Sequence, residues 1–302
     1  MSTPTSTRVA LPVLAAAVTV ILWASAFVGV RAAGHDYSPG ALALGRQVVG
    51  SVALTVIVLA LHRGRLPRWP RWPRGRALLG VLVWGVGWFG VYNLALNAAE
   101  QHLDAGTTAL LVNIAPALVA VFAGLLLGEG FPRRLLIGIV VAFAGVAIIA
   151  VTTSTGQVDA IGVVLGLAAA LLYAGGALFQ KRLLTRVDAV TMTWVGCLAG
   201  TVACLPFAPA LVTEAASAPL PSTLAVIYLG VFPTAIAFLM WGYALSRTTA
   251  GRLASSTYLV PPLAILISWV LLGEVPPVLS LAGGVLCLVG VAIATLRRPA
   301  AR

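Results

Sequence analysis

The tetrapeptide Leu-Leu-Gly-Glu at residues 126–129 closes a long apolar stretch, and the same tetrapeptide returns at residues 271–274, again near the end of an apolar stretch. Agreement at this offset of 145 positions extends over about 45 residues, which is more than shared apolar composition produces, so the chain contains two copies of one unit. The other matches are Ala105 and Gly106 with Ala250 and Gly251, Pro116 with Pro261, Gly138 with Gly283, and residues 145–148 (Gly-Val-Ala-Ile) with residues 290–293.

The first part of each copy is less similar and is offset by 150 positions. There, Leu-Trp-Ala at residues 22–24 corresponds to Leu-Tyr-Ala at residues 172–174, and Arg31 corresponds to Lys181. Duplicated membrane proteins bind solutes where their repeats meet, so we expect the functional site at the boundary between the two copies.

The composition is that of an integral membrane protein. Of the 302 residues, 60% are hydrophobic and 9% are charged, and the mean hydropathy is +1.03. A soluble domain carries about 25% charged residues. The formal net charge of +11 comes from basic residues in short segments between apolar stretches, a distribution that sets membrane topology, so we do not expect nucleic-acid binding.

Apolar stretches that are long enough to cross a bilayer occur ten times. A transmembrane helix needs about 20 apolar residues to cross roughly 30 Å of hydrocarbon. The first stretch lacks a cleavage site of small residues, so we interpret it as a retained helix and not as a signal peptide. The predicted spans are residues 9–31, 40–61, 77–98, 105–127, 134–152, 160–181, 189–211, 222–245, 252–272 and 277–296.

The basic residues predict how these spans are oriented. With the N-terminus in the cytoplasm, 17 of the 19 lysines and arginines fall on the cytoplasmic side, and only Arg31 and Arg46 fall outside. The positive-inside rule therefore predicts ten spans with both termini in the cytoplasm. The expected location is the inner (plasma) membrane of a cell.

Each copy contains five spans, an odd number, so the second copy must enter the bilayer from the opposite side. We therefore predict an all-α membrane protein of two inverted five-helix repeats around a central cavity, the first at residues 1–152 and the second at residues 153–302. The loops agree with inversion, because Glu129 is followed by the arginine pair 133–134, whereas Glu274 is followed by Val-Pro-Pro.

No aspartate or glutamate lies in the middle of a predicted span. Proton-coupled carriers usually place a carboxylate or a histidine in their path, so we favour facilitated transport or exchange, although Glu100, Asp104, Glu129 and Glu274 at the rims could titrate. The chain has no phosphate-binding glycine loop, so an ATP-driven pump is disfavoured. The sequence predicts no metal site and no cofactor.

Uncharged polar residues are clustered within the spans, where their amide and hydroxyl groups need partners from neighbouring helices or from a substrate in a wet cavity. Asn113 lies three residues before Pro116, whose missing N–H leaves a backbone carbonyl one turn earlier without its helical partner. Trp23 and Tyr173 are equivalent aromatic residues of the two copies. Our candidates for the substrate cavity are Trp23, Asn93, Asn113, Tyr173, Tyr243 and Tyr258.

Arg46 is the only basic residue predicted inside a span on the outer side. Its long side chain could reach water at the membrane surface, or it could contact a carboxylate of the substrate, and the sequence leaves both interpretations open. Glycines seven residues apart form a smooth strip on one helix face, which favours close helix packing. The candidate packing and hinge residues are Pro116, Pro261, Gly138, Gly145, Gly283 and Gly290.

Two five-span copies, each with a proline in its fourth span, a Gly-Glu pair at the end of that span and spaced glycines in its fifth, resemble the EamA-type family of the drug/metabolite transporter superfamily. The resemblance covers nearly the whole chain. It implies exporters of amino acids and other small metabolites that work by alternating access. It also implies that spans one, three, four, six, eight and nine line the cavity. The doubled proline at Pro261 and Pro262, and Tyr258 in place of Asn113, depart from symmetry between the copies.

The function we expect is secondary transport, namely the export of small metabolites and above all of amino acids with aromatic or apolar side chains. A membrane-embedded lipid-modifying enzyme is one alternative, but it requires catalytic side chains clustered at one membrane depth, and the sequence shows no such cluster, so we do not expect an enzyme. A channel is the other alternative and requires a ring of like groups along a pore. The expected partners are a small-molecule substrate and the lipid bilayer, and a monomer and a homodimer both remain open.

Overall fold

The computed structural model describes residues 5–61, 72–103, 105–154, 159–273, 275 and 277–295, and every regular element in these ranges is a helix. Most of the arginine-rich segment after the second span, Asp104, Glu274 and the last seven residues lie outside the described residues. The helices are α1 (Thr5–Ala33), α2 (Pro39–Leu61), α3 (Arg76–His102), α4a (Ala105–Val112), α4b (Ala115–Leu126), α5 (Arg133–Thr153), α6 (Ala160–Leu183), α7 (Ala189–Ser217), α8 (Leu220–Arg247), α9a (Ala250–Ser256), α9b (Val260–Leu272) and α10 (Val278–Thr295).

Within the described ranges, nine helices are long and apolar enough to cross a membrane, counting α9a and α9b together. In the fourth predicted span the described apolar helix is the shorter segment Leu110–Leu126. This segment is broken between Val112, where α4a ends, and Ala115, where α4b begins. The break is explained by Pro116, which lacks an N–H and whose ring conflicts with the carbonyl one turn earlier.

The helical irregularities of the first copy recur in the second. The ninth helix breaks at a 3₁₀ turn, Thr257–Leu259, just before Pro261, which is the place equivalent to the break in α4. α3 contains a π-helical segment at Val86–Tyr92, and α8 contains one at Gly230–Ile236, an offset of 144. π-helical turns occur often at functional sites. The two copies therefore share these helix breaks and π-helical segments even where their sequences differ.

Equivalent helices of the two copies contact each other. Between α2 and α7, Thr201 Oγ1 donates to Gln47 O at 3.2 Å, and Ser51 Oγ donates to Cys197 Sγ at 3.3 Å. The earlier residue of α2 thus pairs with the later residue of α7, which makes these two helices antiparallel. Large contacts also join α1 to α8, α2 to α8, α3 to α6, α3 to α7, and α4b to α9a.

The fifth helices of the copies, α5 and α10, pack through four glycines. A Cβ atom added at Gly138 would lie 2.5 Å from Gly290 O, and one added at Gly145 would lie 2.5 Å from Gly283 O. The two backbones therefore touch directly, and the order of the pairs makes the helices antiparallel. We call this contact the glycine seam, and it lies behind the helices that surround the cavity described below.

Replacing a glycine of the seam should destabilise the fold. In Gly138→Ala and Gly145→Ala the new methyl group must displace a carbonyl of α10, and overpacking of this kind typically costs about 1–3 kcal/mol. The measurement is the thermal unfolding of purified protein in detergent. Gly175→Ala is the matched control, because nothing lies within 4 Å of a Cβ added there, and it should unfold at or slightly above the wild-type temperature. Equal unfolding temperatures for all three variants would contradict direct backbone packing.

Candidate substrate cavity

A cavity lies where α1, α2, α3, α4, α6, α8 and the ninth helix meet. It contains about 790 Å³ of empty space, a figure that includes the space at its open side. The helices that line it are the six expected spans and, in addition, α2. Most of the lining is apolar or aromatic, and its polar side chains are Arg46, Tyr92, Asn93, Glu100, Asn113, Tyr173 and Thr257.

Aromatic rings from four helices form one wall of the cavity. The ring centre of Trp23 lies 5.3 Å from that of Phe238 and 6.3 Å from that of Tyr173. Trp88 lies 5.3 Å from Tyr173 and 5.9 Å from Phe238. Tilted and edge-on contacts of this kind contribute about 0.5–1.5 kcal/mol each beyond burial. The rings therefore hold one another in place while presenting apolar surface to the cavity.

The π-helical segments are stabilised by side chains that bind their backbone carbonyls. Asn93 Nδ2 donates to Trp88 O and Phe89 O, both at 3.1 Å. Trp23 Nε1 donates to Pro233 O at 3.3 Å in the second π segment. A carbonyl without a partner is costly inside a membrane, so these bonds fix the shape of the backbone around the cavity. The amide nitrogen of Asn93 is thus already engaged within the protein.

Arg46 reaches from α2 into the cavity lining, and its side chain is only 6% exposed. Its Nε donates to Thr234 Oγ1 at 3.2 Å, which uses one of the five guanidinium N–H donors. The interpretation in which Arg46 reaches water at the membrane surface is therefore wrong. Buried guanidinium groups pair with carboxylates through two parallel hydrogen bonds, so Arg46 marks the place in this cavity that suits an anion.

The hydroxyl group of Tyr173 is buried and makes no hydrogen bond within the described part of the chain. Thr257 lies beside it and donates from Oγ1 to Ala254 O at 2.7 Å, but the Tyr173 hydroxyl is not within hydrogen-bond geometry of Thr257 Oγ1. A buried polar group without a partner costs about 1–3 kcal/mol. Tyr173 lines the cavity, so its hydroxyl is a candidate contact for a bound molecule, although in this structure the oxygen is covered by protein atoms.

Four of the six residues proposed from the sequence lie in the cavity lining, namely Trp23, Asn93, Asn113 and Tyr173. Asn113 occupies the break between α4a and α4b and is 7% exposed. Pro116, which causes the break, is also part of the lining. The structure therefore brings together at one cavity two amide side chains, a helix break and two aromatic residues from distant parts of the sequence.

Tyr243 and Tyr258 are the two proposed residues that lie elsewhere. Tyr258 is fully buried and packs edge-on against Phe143, with ring centres 6.5 Å apart. Tyr243, near the end of α8, lies under the guanidinium of Arg247, which is 3.8 Å from its ring centre. Both were chosen as polar aromatic residues within a span, but the helix faces that carry them pack away from the cavity.

Glu100 connects this cavity to a second pocket, which lies between the end of α1, the start of α2 and the end of α3. The sequence predicts that the third span ends at residue 98, whereas α3 continues to His102 and carries Glu100 into the lining of both spaces. Glu100 therefore lies near the end of α3, as predicted, and its side chain in addition lines both spaces. The spacing of Asn93, Asn97 and Glu100 places them on one helix face and would have been the signal for it.

At the end of the helix bundle opposite the second pocket, contacts between helix ends hold the helices together. Glu129 accepts hydrogen bonds from the backbone N–H groups of Ala250 at 2.7 Å and Gly251 at 3.1 Å, at the start of α9a. Lys181 Nζ donates to two carbonyls at the end of α8, at 2.5 and 2.6 Å. These charges complement the dipoles of the two helices. The glutamate of the repeated tetrapeptide is therefore, in the first copy, a cap for a helix of the second.

On the side of the second pocket, His102 and Asp159 join the end of α3 to the start of α6. His102 Nδ1 and Asp159 Oδ2 lie 2.8 Å apart. The backbone N–H of Ile161, followed by the hydrogen bond to His102, lowers the pKa of Asp159 below its ordinary value. Both side chains are partly exposed to solvent, so this pair contributes little to stability.

A bundle of apolar helices around a central cavity defines a multi-pass membrane protein. The chain matches the EamA-like transporter family over residues 10–151 and again over residues 160–296, and it belongs to this family of the drug/metabolite transporter type. The resemblance noted in the sequence is thereby confirmed.

Individual relatives are similar over most of the chain. A protein of Streptantibioticus cattleyicolor, named as a probable terminal-alkyne amino-acid exporter, is 38% identical, covering 94% of this chain and 93% of its own. A probable amino-acid metabolite efflux pump of Salmonella typhimurium is 27% identical, covering 68% of this chain and 72% of its own. A protein of known crystal structure shares the fold, with a TM-score of 0.74 and 22% identity over 94% of this chain and 96% of that protein.

Removing the charge of the Glu129 cap should loosen the contact between the copies. In Glu129→Gln the side chain keeps its shape, but only one oxygen remains to accept from the two N–H groups at the start of α9a, and the loss of a helix cap costs about 1 kcal/mol. The measurement is thermal unfolding in detergent. Arg134→Gln changes an exposed charge in the same region and is the control that should leave the unfolding temperature unchanged. A Glu129→Gln variant as stable as this control would argue against a capping role.

Proposed function

We propose that this protein is a secondary transporter that exports amino acids, with a preference for aromatic or apolar side chains. The observation that carries the proposal is the buried guanidinium of Arg46 in the lining of a cavity whose wall consists of aromatic rings. A guanidinium binds the α-carboxylate, and the rings provide an apolar surface for the side chain.

The relatives support this choice of substrate. Both named relatives are described as exporting amino acids or amino-acid metabolites. A terminal-alkyne amino acid combines a charged backbone with a short apolar side chain, which is the chemistry that Arg46 and the aromatic wall of this cavity would accommodate. The candidate contacts are Arg46, Asn113 and Tyr173 with the polar part of the substrate, and Trp23 with its apolar part.

The proposal includes ten membrane spans arranged as two inverted five-helix repeats, at residues 1–152 and 153–302. The antiparallel packing of α2 with α7, and of α5 with α10, supports the inversion, because in each pair the two helices are equivalents from different copies. The pairing of α1 with α8 and of α3 with α6 is what a two-fold axis in the membrane plane would produce. Together with the nine longer apolar helices, the broken fourth helix would bring the number of membrane spans to ten.

The transport cycle would proceed by alternating access around the cavity. In the arrangement described, the contacts of Glu129 and Lys181 tie the helices together at one end, while the second pocket extends from the cavity toward the other. With both termini in the cytoplasm of a cell bounded by its inner (plasma) membrane, the tied end is cytoplasmic and the second pocket is external. Sequence equivalence assigns to Glu274 the corresponding role at Ala105 and Gly106 in the opposite state.

The proposal is tested by transport in a purified system. Protein reconstituted in liposomes should exchange radiolabelled phenylalanine, leucine or other apolar amino acids across the membrane without ATP and without an imposed pH gradient. Arg46→Met should reduce this exchange strongly, because an apolar side chain of similar length cannot pair with a carboxylate. Liposomes without protein are the blank. A full panel of amino acids that shows no flux above the blank would refute amino-acid transport.

Tyr173→Phe separates a binding role of this residue from a structural one. The Tyr173 hydroxyl has no hydrogen-bond partner in the described structure, so its removal should not lower the unfolding temperature. If the substrate binds this hydroxyl, KM for the amino acid should rise about 2- to 10-fold, the equivalent of one neutral hydrogen bond. Tyr258→Phe is the matched control, because the Tyr258 hydroxyl is also buried without a partner but lies outside the cavity lining. Equal KM values for the two variants would remove Tyr173 from the binding site.

A further inference from the structure

Glu100 is the one acidic side chain among the described residues that line the central cavity, and it also lines the second pocket. The two spaces share Phe27, Val30 and Glu100 in their linings, so they are neighbours at this carboxylate. Within the described part of the chain, no lysine, arginine or histidine nitrogen forms an ion pair with it at 4.0 Å or less. The positive charges of Arg31 and Arg46 nevertheless act on it from a greater distance.

The separation of Glu100 and Arg46 follows from the register of their helices. Gln47 Nε2 donates to Phe89 O at 2.8 Å, and Asn97 Nδ2 donates to Pro39 O at 3.2 Å, so α2 and α3 run in opposite directions with these residues level. Arg46 is then level with about residue 90 of α3. The backbone of Glu100 lies about ten residues further along α3, which corresponds to roughly 15 Å along the helix axis at a rise of about 1.5 Å per residue. The two long side chains shorten this separation but do not meet in an ion pair.

A buried cation and a partly buried carboxylate that share one cavity without pairing leave room for a molecule with both charges. The α-carboxylate and α-ammonium groups of an amino acid are held a few ångströms apart by one carbon atom, and each has the sign opposite to one of these residues. Asn97 adds a further polar group on this side, because its Oδ1 is buried without a hydrogen-bond partner within the described residues and Asn97 lines the second pocket.

We propose that Glu100 binds the α-ammonium group of the substrate while Arg46 binds its α-carboxylate, so that the cavity selects zwitterions. This inference rests on the proposed function of amino-acid transport and specifies the substrate class further. It predicts that amino acids with a free ammonium group are transported, whereas N-acetylated amino acids with the same side chain are rejected. An amine that lacks the carboxylate would likewise lose the contact with Arg46.

The experiment measures competition in reconstituted liposomes. Exchange of a radiolabelled amino acid by the wild type should be inhibited by the unlabelled amino acid and only weakly by its N-acetyl derivative. In Glu100→Gln the apparent affinity for the amino acid should fall about 10- to 100-fold, as for the loss of a hydrogen bond between charged groups, and the discrimination against the N-acetyl derivative should disappear. Glu100→Asp keeps the charge and should restore part of the discrimination.

The control is Glu214→Gln. Glu214 is a carboxylate on the same side of the helix bundle that accepts a hydrogen bond from the backbone N–H of Ser38 at 2.8 Å and lines neither space. This variant should discriminate as the wild type does. Size-exclusion profiles and unfolding temperatures verify that each variant is folded, and the discrimination ratio does not depend on the amount of active protein.

The outcomes separate the two proposals. If the wild type exchanges amino acids and Glu100→Gln keeps both its affinity and its discrimination against the N-acetyl derivative, the ammonium site is refuted and the transport function stands. Strong inhibition of the wild type by the N-acetyl derivative would have the same meaning. If the wild type exchanges no amino acid at all, the transport function itself fails, and the assignment of Glu100 fails with it.

Discussion

A backbone group that loses its helical partner inside a membrane has no water to replace it, and this constraint governs the whole arrangement. The helix breaks near Asn113 and Thr257 line the cavity, and the two π-helical segments lie beside it. Side chains such as Asn93 and Trp23 bind the carbonyls of those segments. Irregular backbone is thus tolerated where other helices enclose it, and the same irregularity creates the space and the polar groups of a binding site.

The two copies share their backbone design but not their chemistry. The position equivalent to Arg46 at the offset of 150 is Gly196, and the position equivalent to Glu100 at the offset of 145 is Leu245. The charged groups of the cavity therefore come from the first copy, while the second contributes Tyr173 and other aromatic surface. A duplicated scaffold can in this way bind a substrate that has no symmetry, because only the helix geometry has to be repeated.

The sequence predicted the all-helical fold, the family and the glycine positions of the α5 and α10 contact, because identical residues at a fixed offset are visible without any structure. It did not predict which face of each helix meets the cavity. Lipid and protein interior are similarly apolar, so a membrane helix lacks the polar face that marks the outside of a soluble one. For this reason the sequence predicts Tyr258 in the cavity although it packs against Phe143, and it does not show that Glu100 lines the cavity.

The π-helical segments also escaped prediction, since no residue type encodes them on its own. Pro233 lies inside one, but its counterpart in α3 contains no proline. Hydrogen bonds from distant side chains, such as that of Gln47 to Phe89 O, stabilise these segments, and such tertiary contacts are absent from any local pattern.

The glycine seam has a mechanical consequence. If α5 slid by one helical turn along α10, Ala142 would take the position that Gly138 holds, and Cys287 would in the same way replace Gly283. Each exchange would press a side chain into a backbone that leaves it no room. The two helices are therefore locked in register, and sliding of one along the other is disfavoured by the side chains on either side of the glycines.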